Sequence, residues 1–322
     1  MVSRSINQRK TIKNSVARKM TKYYLLWIFV IMAFVTLACS LFVVVVDSNY
    51  QASEQITTVD ITEESAYENS AVTEVETEKE PEIASINFQP VIDQWVASVG
   101  GNKSVIIYDL DKNEIAGSYN PAENYNTASL YKLFVVYEGY RRINTQEWNK
   151  DALVGSTGYS ILECLDLAIR ESYSPCAEAL WTMIGHDSLD EIIENDFNIT
   201  NSDISRLVSN PEDILKIMKI FYEHNDIQDE HIVSLMKDSF LNQPVTTYNW
   251  RRGLPSGFEK ANVYNKVGWD WNGEYWNVYH DAAVVEFPEE NRHFIIVVMT
   301  SQISFNDIAR LGSMIEETFL QK

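Results

Sequence analysis

The chain has 322 residues, of which 45% are hydrophobic, and its formal net charge is -20 at pH 7. That hydrophobic content is ordinary for a protein with a packed core. The excess of acidic residues beyond residue 22 argues against a nucleic acid partner, because phosphate binding requires a basic surface.

The N-terminal part is predicted to anchor the protein in a membrane. Residues 1–22 carry seven basic residues and no acidic one, and residues 23–46 contain no charge. At about 1.5 Å per residue, this apolar run is long enough to cross a hydrocarbon core of roughly 30 Å. The basic flank predicts a single-pass protein of the cell membrane with a cytoplasmic N-terminus and an extracellular C-terminal domain. A cleaved signal peptide is the competing interpretation, but the run is longer than such peptides use and no small-x-small site follows it.

Residues 47–90 have a different composition. Acidic, hydroxyl and small residues dominate, and Lys79 is the only basic residue. Such a segment buries too little apolar surface to offset the entropy lost on ordering. We therefore expect a disordered acidic stalk, followed by one folded domain over residues 91–322.

The folded domain is predicted to begin with a helix and a β-hairpin. The apolar pattern indicates a short helix over residues 91–99 and strands over residues 103–110 and 114–119. The turn between the strands imitates the start of a calcium loop. Glu114 occupies the position where that loop requires glycine, so a plain hairpin turn is expected.

The rest of the domain is predicted to alternate between helical and strand segments. In chain order these are a helix that contains Ser129 and runs to about residue 142, a mainly helical stretch over 161–238, strands over 262–269, 276–287 and 293–301, and a closing amphipathic helix over 305–320. Strands at both ends with helices between them predict an α+β fold. One antiparallel sheet should be flanked by the N- and C-terminal helices and should carry an all-helical subdomain.

Two cysteines lie in the predicted helical stretch. Cys164 and Cys176 are 12 residues apart in a part of the chain that should lie outside the membrane. A disulfide is chemically permitted there, but buried free thiols are also common, so both states remain open. The five histidines have no zinc-ligand spacing, and no metal or cofactor is predicted.

The segment that most clearly could carry out catalysis is NTASLYKLFVVY, residues 126–137, which contains Ser129 and Lys132. Residues three apart on a helix share a face, so the amine can reach the hydroxyl. A lysine whose charge is disfavoured by burial or by another cation can take the serine proton and create a nucleophile. The alternative is a helix-capping serine followed by a solvated lysine, since the spacing alone is common.

Two later stretches add a resemblance to a known family. SYS at residues 172–174 begins a helical segment, and KVG at residues 266–268 lies in a strand that follows GLP at 253–255. Together with SLYK, they resemble the SxxK, SxN and K(T/S)G motifs of the penicillin-recognising serine hydrolases, which include class A β-lactamases and D,D-peptidases. The GLP leader and the strand HDAAVVEF resemble the class A β-lactamase-type domain in particular.

The resemblance implies roles for four side chains. Ser129 matches the serine that becomes acylated, and Lys132 matches the lysine that shares its proton. Ser172 matches the serine that passes a proton to the leaving group. Lys266 matches the lysine whose charge holds this network and attracts the substrate carboxylate.

The resemblance also implies substrate contacts, and two of them differ from the family pattern. Gly268 matches the motif glycine, and the backbone N–H groups of Ser129 and Trp269 match the oxyanion hole. Ser174 replaces an asparagine that binds the acyl side chain, and a hydroxyl has shorter reach and fewer donors. Val267 replaces a threonine or serine whose hydroxyl contacts the substrate carboxylate.

A third departure concerns hydrolysis of the acyl-enzyme. Class A enzymes place a glutamate on a loop after the middle motif, where it activates water. The matching stretch here, residues 198–210, offers only Asp203, and EIIEN at 191–195 lies too close to the middle motif. The sequence therefore predicts a long-lived ester on Ser129, because hydrolysis needs a positioned base.

Three functions remain open from the sequence. The first is a membrane-anchored serine hydrolase acting on peptidoglycan stem peptides or a related acyl-peptide. The second is a class A-like β-lactamase, weakened by the absent glutamate. The third is a non-catalytic protein that binds cell-wall fragments or β-lactams. The retained serines and lysines favour an enzyme, because binding alone does not require a complete proton-transfer set.

Overall fold

The computed structural model describes residues 84–242, 251–271 and 276–321. The predicted basic tail, the apolar run over 23–46 and most of the predicted stalk lie outside these residues. Within the described residues, no helix has both the length and the apolar character needed to cross a bilayer.

A five-stranded antiparallel sheet forms the centre of the fold, with strand order β2-β1-β7-β6-β5. The strands are β1 (Asn102–Asp109), β2 (Glu114–Tyr119), β5 (Asn262–Trp271), β6 (Trp276–Phe287) and β7 (Arg292–Ser301). A short pair, β3 (Tyr125–Asn126) and β4 (Val208–Ser209), lies apart from it. The antiparallel sheet of the predicted fold class is confirmed.

Both faces of the sheet are buried, and successive side chains alternate between them. Ile106 and Tyr108 of β1 belong to the core on the side of the helical subdomain, whereas Val105 and Ile107 belong to the core on the opposite side. This alternation is the period of two that a strand imposes on its side chains. A sheet covered on both faces accounts for the nearly continuous apolar runs in the sequence.

The helices divide between the two faces. The helical subdomain contains α2 (Tyr131–Asn144), α3 (Ile161–Arg170), α4 (Ser174–Ile184), α5 (His186–Asn195), α6 (Pro211–Glu223) and α7 (Glu230–Leu241). On the opposite face, α1 (Gln89–Ser98) packs beside α8 (Phe305–Leu320). The buried indole of Trp95 joins these two helices by donating a hydrogen bond to the Asp307 carbonyl at 2.7 Å.

The folded domain begins earlier than the sequence indicates. Ile86 and Phe88, which the composition assigns to the stalk, are 6% and 0% exposed in the core beneath α1. The Phe88 N–H also donates to the Ala116 carbonyl of β2 at 2.8 Å. The predicted boundary at residue 90 therefore lies inside packed structure, because two apolar residues in a polar segment are enough to attach it to the core.

A disulfide joins Cys164 of α3 to Cys176 of α4. Both residues are fully buried, and their Cα atoms are 4.9 Å apart. The bond closes the loop that contains Ser172 and thereby ties the start of α4 to α3. The choice that the sequence leaves open, between two thiols and one disulfide, is made by the packing of these two helices.

Candidate active site

The nucleophile candidate lies in a tight turn at the edge of the sheet. Ser129 is part of a 3₁₀ turn over Ala128–Leu130, and α2 begins only at Tyr131. The α-helix that was predicted to contain Ser129 therefore begins two residues after it. Ala128 has a φ of 43°, in the left-handed region, which costs of order 1 kcal/mol or more for a residue with a Cβ.

Hydrogen bonds hold this strained turn in place. The Ala128 N–H donates to Asn126 Oδ1 at 2.8 Å, and the Thr127 N–H donates to the Leu207 carbonyl at 2.8 Å. The Asn126 carbonyl lies 2.7 Å from Nε2 of the buried ring of His280. Because surrounding groups fix the backbone on both sides, the turn can hold a sparsely populated conformation.

His280 has a defined tautomer. Its Nδ1 accepts a hydrogen bond from the Thr300 N–H at 3.0 Å, so Nε2 carries the proton that it donates to Asn126. Burial lowers the pKa of His280 to about 4. The neutral ring therefore connects β7 to the nucleophile turn through two hydrogen bonds. No sequence motif marks His280, although the alternation of β6 predicts an inward-facing side chain at this position.

Lys132 lies at the centre of a cluster of hydroxyl groups. Its fully buried amine is 3.0 Å from Ser129 Oγ, 3.1 Å from Ser174 Oγ and 3.3 Å from Ser172 Oγ. It also donates to the Ser172 carbonyl at 2.8 Å. Burial lowers the pKa of Lys132 to about 8, and the charge of Glu178 acts in the opposite direction. The amine can therefore accept a proton from Ser129 near neutral pH.

Ser172 connects the two lysines of the site. Its backbone has a φ of 54°, and its Oγ is 2.9 Å from Lys266 Nζ. Lys266 also donates to the Val267 carbonyl at 2.8 Å. Burial, and to a lesser degree the charge of Lys132, lower the Lys266 pKa well below its ordinary value. The hydroxyl of Ser172 can therefore exchange protons with either amine.

A buried carboxyl, Asp281, lies beneath this cluster. It accepts hydrogen bonds from Asn265 Nδ2 at 2.8 Å and from the Leu254 N–H at 2.7 Å. Burial raises the pKa of Asp281 to about 7, although these bonds and the nearby cations act against the increase. A Cβ on Gly253 would lie 2.0 Å from Asp281 Oδ2, so the first residue of GLP must be glycine for this contact to form.

The predicted substrate-contacting residues differ in exposure and in the part of each residue that contacts the cluster. They are Ser174, Val267, Gly268 and Trp269. Ser174 is exposed at the start of α4, and its Oγ faces Lys132. A Cβ on Gly268 would lie 2.8 Å from the Thr127 carbonyl, so glycine lets β5 approach the nucleophile turn. Trp269 is half-buried next to it, whereas the Val267 side chain is only 1% exposed. The carbonyl of Val267, rather than its side chain, contacts the site through Lys266.

The loop over residues 198–210 lies beside the nucleophile turn through the β3–β4 pair. Asp203 Oδ1 accepts from the Arg206 N–H at 3.0 Å and from Ser205 Oγ at 2.7 Å. This carboxylate caps the 3₁₀ turn that follows it. EIIEN belongs to α5, as its helical pattern predicts. Within the described residues, no group of three His, Cys, Asp or Glu side chains could hold a metal ion.

Glu178 is a further residue that the sequence analysis missed. It lies one turn after Ser174 on α4, and its charge favours the protonated form of Lys132. Residues four apart share a helix face, so the spacing from Ser174 was an available signal. A glutamate in an exposed helix is otherwise unremarkable in a sequence.

A family model described as the beta-lactamase enzyme family matches residues 87–319. The chain belongs to the beta-lactamase enzyme family. The resemblance of SLYK, SYS and KVG to the motifs of penicillin-recognising serine hydrolases is thereby confirmed at the level of the family, and the protein is a serine hydrolase enzyme. The chain matches no curated protein.

Solved structures of this family have the same fold. A class A beta-lactamase from Bacteroides cellulosilyticus has a TM-score of 0.63 and 16% identity, over 73% of this chain and 99% of its own. An ancestral class A beta-lactamase of Gram-negative bacteria has a TM-score of 0.62 and 16% identity, over 72% and 100%. A beta-lactamase from Chitinophaga pinensis has a TM-score of 0.59 and 15% identity, over 71% and 97%.

Proposed function

We propose that the protein forms an acyl-enzyme on Ser129 and hydrolyses peptidoglycan stem peptides or a related acyl-peptide, as D,D-peptidases do. The observation that carries the proposal is the 3.0 Å contact between Ser129 Oγ and the buried amine of Lys132. A lysine whose pKa is lowered to about 8 is a suitable base for a serine hydroxyl at neutral pH.

Acylation would proceed through the two lysines and the serine between them. Lys132 takes the Ser129 proton while Oγ attacks the scissile carbonyl. Ser172 donates its proton to the leaving nitrogen and takes in its place the proton held by Lys132, whose nitrogen is 3.3 Å from Ser172 Oγ, while Lys266 contacts the same oxygen at 2.9 Å. The backbone N–H groups of Ser129 and Trp269 are proposed to bind the oxyanion. The bond from the carbonyl carbon to nitrogen breaks, and an ester on Ser129 remains.

A class A-like β-lactamase is the second candidate. The observation that favours it is the fold similarity to class A enzymes at TM-scores of about 0.6. A β-lactam offers the same reactive group, a strained amide carbonyl with a carboxylate nearby. Two replacements weaken this candidate. Val267 lacks the hydroxyl that the family uses to contact the substrate carboxylate, and Ser174 lacks the amide that the family uses to bind the acyl side chain.

We also propose that residues 23–46 span the membrane, with residues 1–22 in the cytoplasm and the enzyme domain outside. The proposal is supported by the one-sided distribution of basic residues around an uncharged run. Protease added to intact cells should remove the domain and leave an N-terminal tag protected. A secreted mature form that begins after residue 46 would contradict this topology.

The proposed chemistry is tested by mass spectrometry of the purified full-length protein. One sample receives a fluorescent penicillin, and another receives diacetyl-L-lysyl-D-alanyl-D-alanine. Release of D-alanine favours the peptidase, and multiple-turnover release of hydrolysed penicillin favours the β-lactamase, because acylation alone already opens the ring; both reactions should disappear in Ser129→Ala. Absence of both adducts and both products in the wild type would contradict acyl-serine chemistry.

A further inference from the structure

Glu178 is a carboxylate whose charge acts on Lys132 of the acylation cluster. It lies on α4 and not on the loop over residues 198–210. Glu178 is one helical turn after Ser174 on α4 and is exposed to solvent. Residues four apart on a helix lie above one another, about 5–6 Å apart at Cβ. Ser174 Oγ is 3.1 Å from Lys132 Nζ, and the charge of Glu178 acts on the same amine, so both residues of α4 influence Lys132.

Tyr131 fixes the orientation of this carboxylate. The Tyr131 hydroxyl donates a hydrogen bond to Glu178 Oε1 at 2.5 Å. The ring of Tyr131 is 5% exposed, its centroid is 5.5 Å from Lys132 Nζ, and it packs against Trp181 at 5.1 Å. A rigid buried side chain therefore holds Glu178 at a position from which its charge acts on Lys132, and the exposure of Glu178 leaves it accessible to water.

We propose that Glu178 is the general base that activates water for hydrolysis of the Ser129 ester. The proposal rests on the acyl-enzyme chemistry proposed above. Asp203, the only carboxylate in the loop over residues 198–210, is occupied as the cap of its own turn. With Glu178 in this role, the ester should be short-lived, which reverses the expectation drawn from the sequence.

The step balances without a further reactant. Glu178 takes one proton from water, and the water oxygen attacks the ester carbonyl carbon to give a tetrahedral intermediate. When this collapses, the bond from carbon to Ser129 Oγ breaks. The proton held by Glu178 passes through solvent to Lys132, which donates a proton to Oγ and is left neutral. The acid is released and the three side chains are restored.

The test compares Glu178→Gln with the wild type in full-length protein. The control is Glu194→Gln, which makes the same change of charge on the exposed surface of α5. Benzylpenicillin and diacetyl-L-lysyl-D-alanyl-D-alanine are the probes, and intact mass is followed from milliseconds to hours. This assay measures acylation and loss of the adduct separately, so a fall in one rate constant is not mistaken for the other.

The expected result is that Glu178→Gln acylates within a few-fold of the wild-type rate but loses the adduct at least about 100-fold more slowly. The control should behave as the wild type does. Glu178→Asp should recover part of the rate, because it retains a carboxylate that is one methylene shorter. A role for Glu178 in folding alone would instead reduce acylation and deacylation together and overturn the proposal.

Other outcomes separate this proposal from the function on which it rests. A wild-type protein that is acylated and keeps the ester for hours would overturn the role of Glu178 and leave acyl-serine chemistry standing. Equal deacylation rates in Glu178→Gln and the wild type would do the same, and slow deacylation in Asp203→Asn alone would assign the base to Asp203. A wild type that neither probe acylates would overturn both proposals.

Discussion

Acylation of Ser129 should become faster as the pH rises from 6 to 8, because only neutral Lys132 can accept the proton. Burial lowers the Lys132 pKa to about 8. With that value, the neutral fraction is about 1% at pH 6 and about half at pH 8, so the acylation rate constant should rise about 50-fold and level off above pH 9. A solvated lysine with an ordinary pKa would give a rate that still rises about tenfold per unit at pH 9.

Rapid-quench labelling with a fluorescent penicillin between pH 5.5 and 10 measures this profile. Lys132→Ala should be slower by orders of magnitude and should lack the bend near pH 8. In Glu178→Gln the pH at which the acylation rate levels off should be lower, because the substitution removes the charge that raises the Lys132 pKa. A wild-type rate that is flat between pH 6 and 8, or that falls, would refute the assignment of Lys132 as the base.

Three further variants test the nucleophile, the fit of β5 and the disulfide. Ser129→Ala should show no covalent label by mass spectrometry and an unchanged circular dichroism spectrum. Gly268→Ala should reduce the acylation rate at least about tenfold, since its Cβ would meet the Thr127 carbonyl at 2.8 Å and push β5 away from the nucleophile. Replacing both Cys164 and Cys176 by Ala should lower the free energy of unfolding by about 3 kcal/mol in urea titrations, because the disulfide closes a loop with a sequence separation of 12.

Each of these variants has an outcome that contradicts its premise. Labelling of another residue in Ser129→Ala would exclude the proposed nucleophile. An acylation rate in Gly268→Ala equal to the wild type would mean that β5 can move away without cost. Unchanged stability without the disulfide would mean that the unfolded chain gains no measurable conformational freedom when the bond is removed.

The sheet was predictable from the sequence because its strands have simple patterns. The predicted strands over 114–119 and 276–287 and the helix over 305–320 agree with the observed bounds. Long apolar runs between polar turns leave few choices of register or direction. Within the five-stranded sheet the largest error is at an end, where local sequence is least informative: the strand predicted over 262–269 extends to Trp271. The two-residue strands Tyr125–Asn126 and Val208–Ser209 were not predicted.

The site was predictable only in part, because several of its contacts depend on tertiary packing. The order of the three motifs identifies Ser129, Lys132, Ser172 and Lys266, and the structure brings their side chains together. The 3₁₀ turn at Ser129 was not predicted, because an apolar helical pattern does not reveal the positive φ of Ala128. Glu178 was missed because its hydrogen bond with Tyr131 joins two residues that lie on different helices and are 47 positions apart in sequence.

The electrostatics of the cluster argue against the alternative of a capping serine and a solvated lysine. Lys132 and Lys266 are almost completely buried, and both lie within 3.3 Å of Ser172 Oγ, so their nitrogens are at most about 6 Å apart. Two charges at that distance repel by about 3 kcal/mol at an effective dielectric constant of 20, in addition to the cost of desolvating each one. A fold that buries two amines around one hydroxyl reduces this cost when either amine gives up its proton, and burial lowers the pKa of both. Lys132, with a pKa of about 8, is then neutral often enough near neutral pH to act as the base that acylation requires.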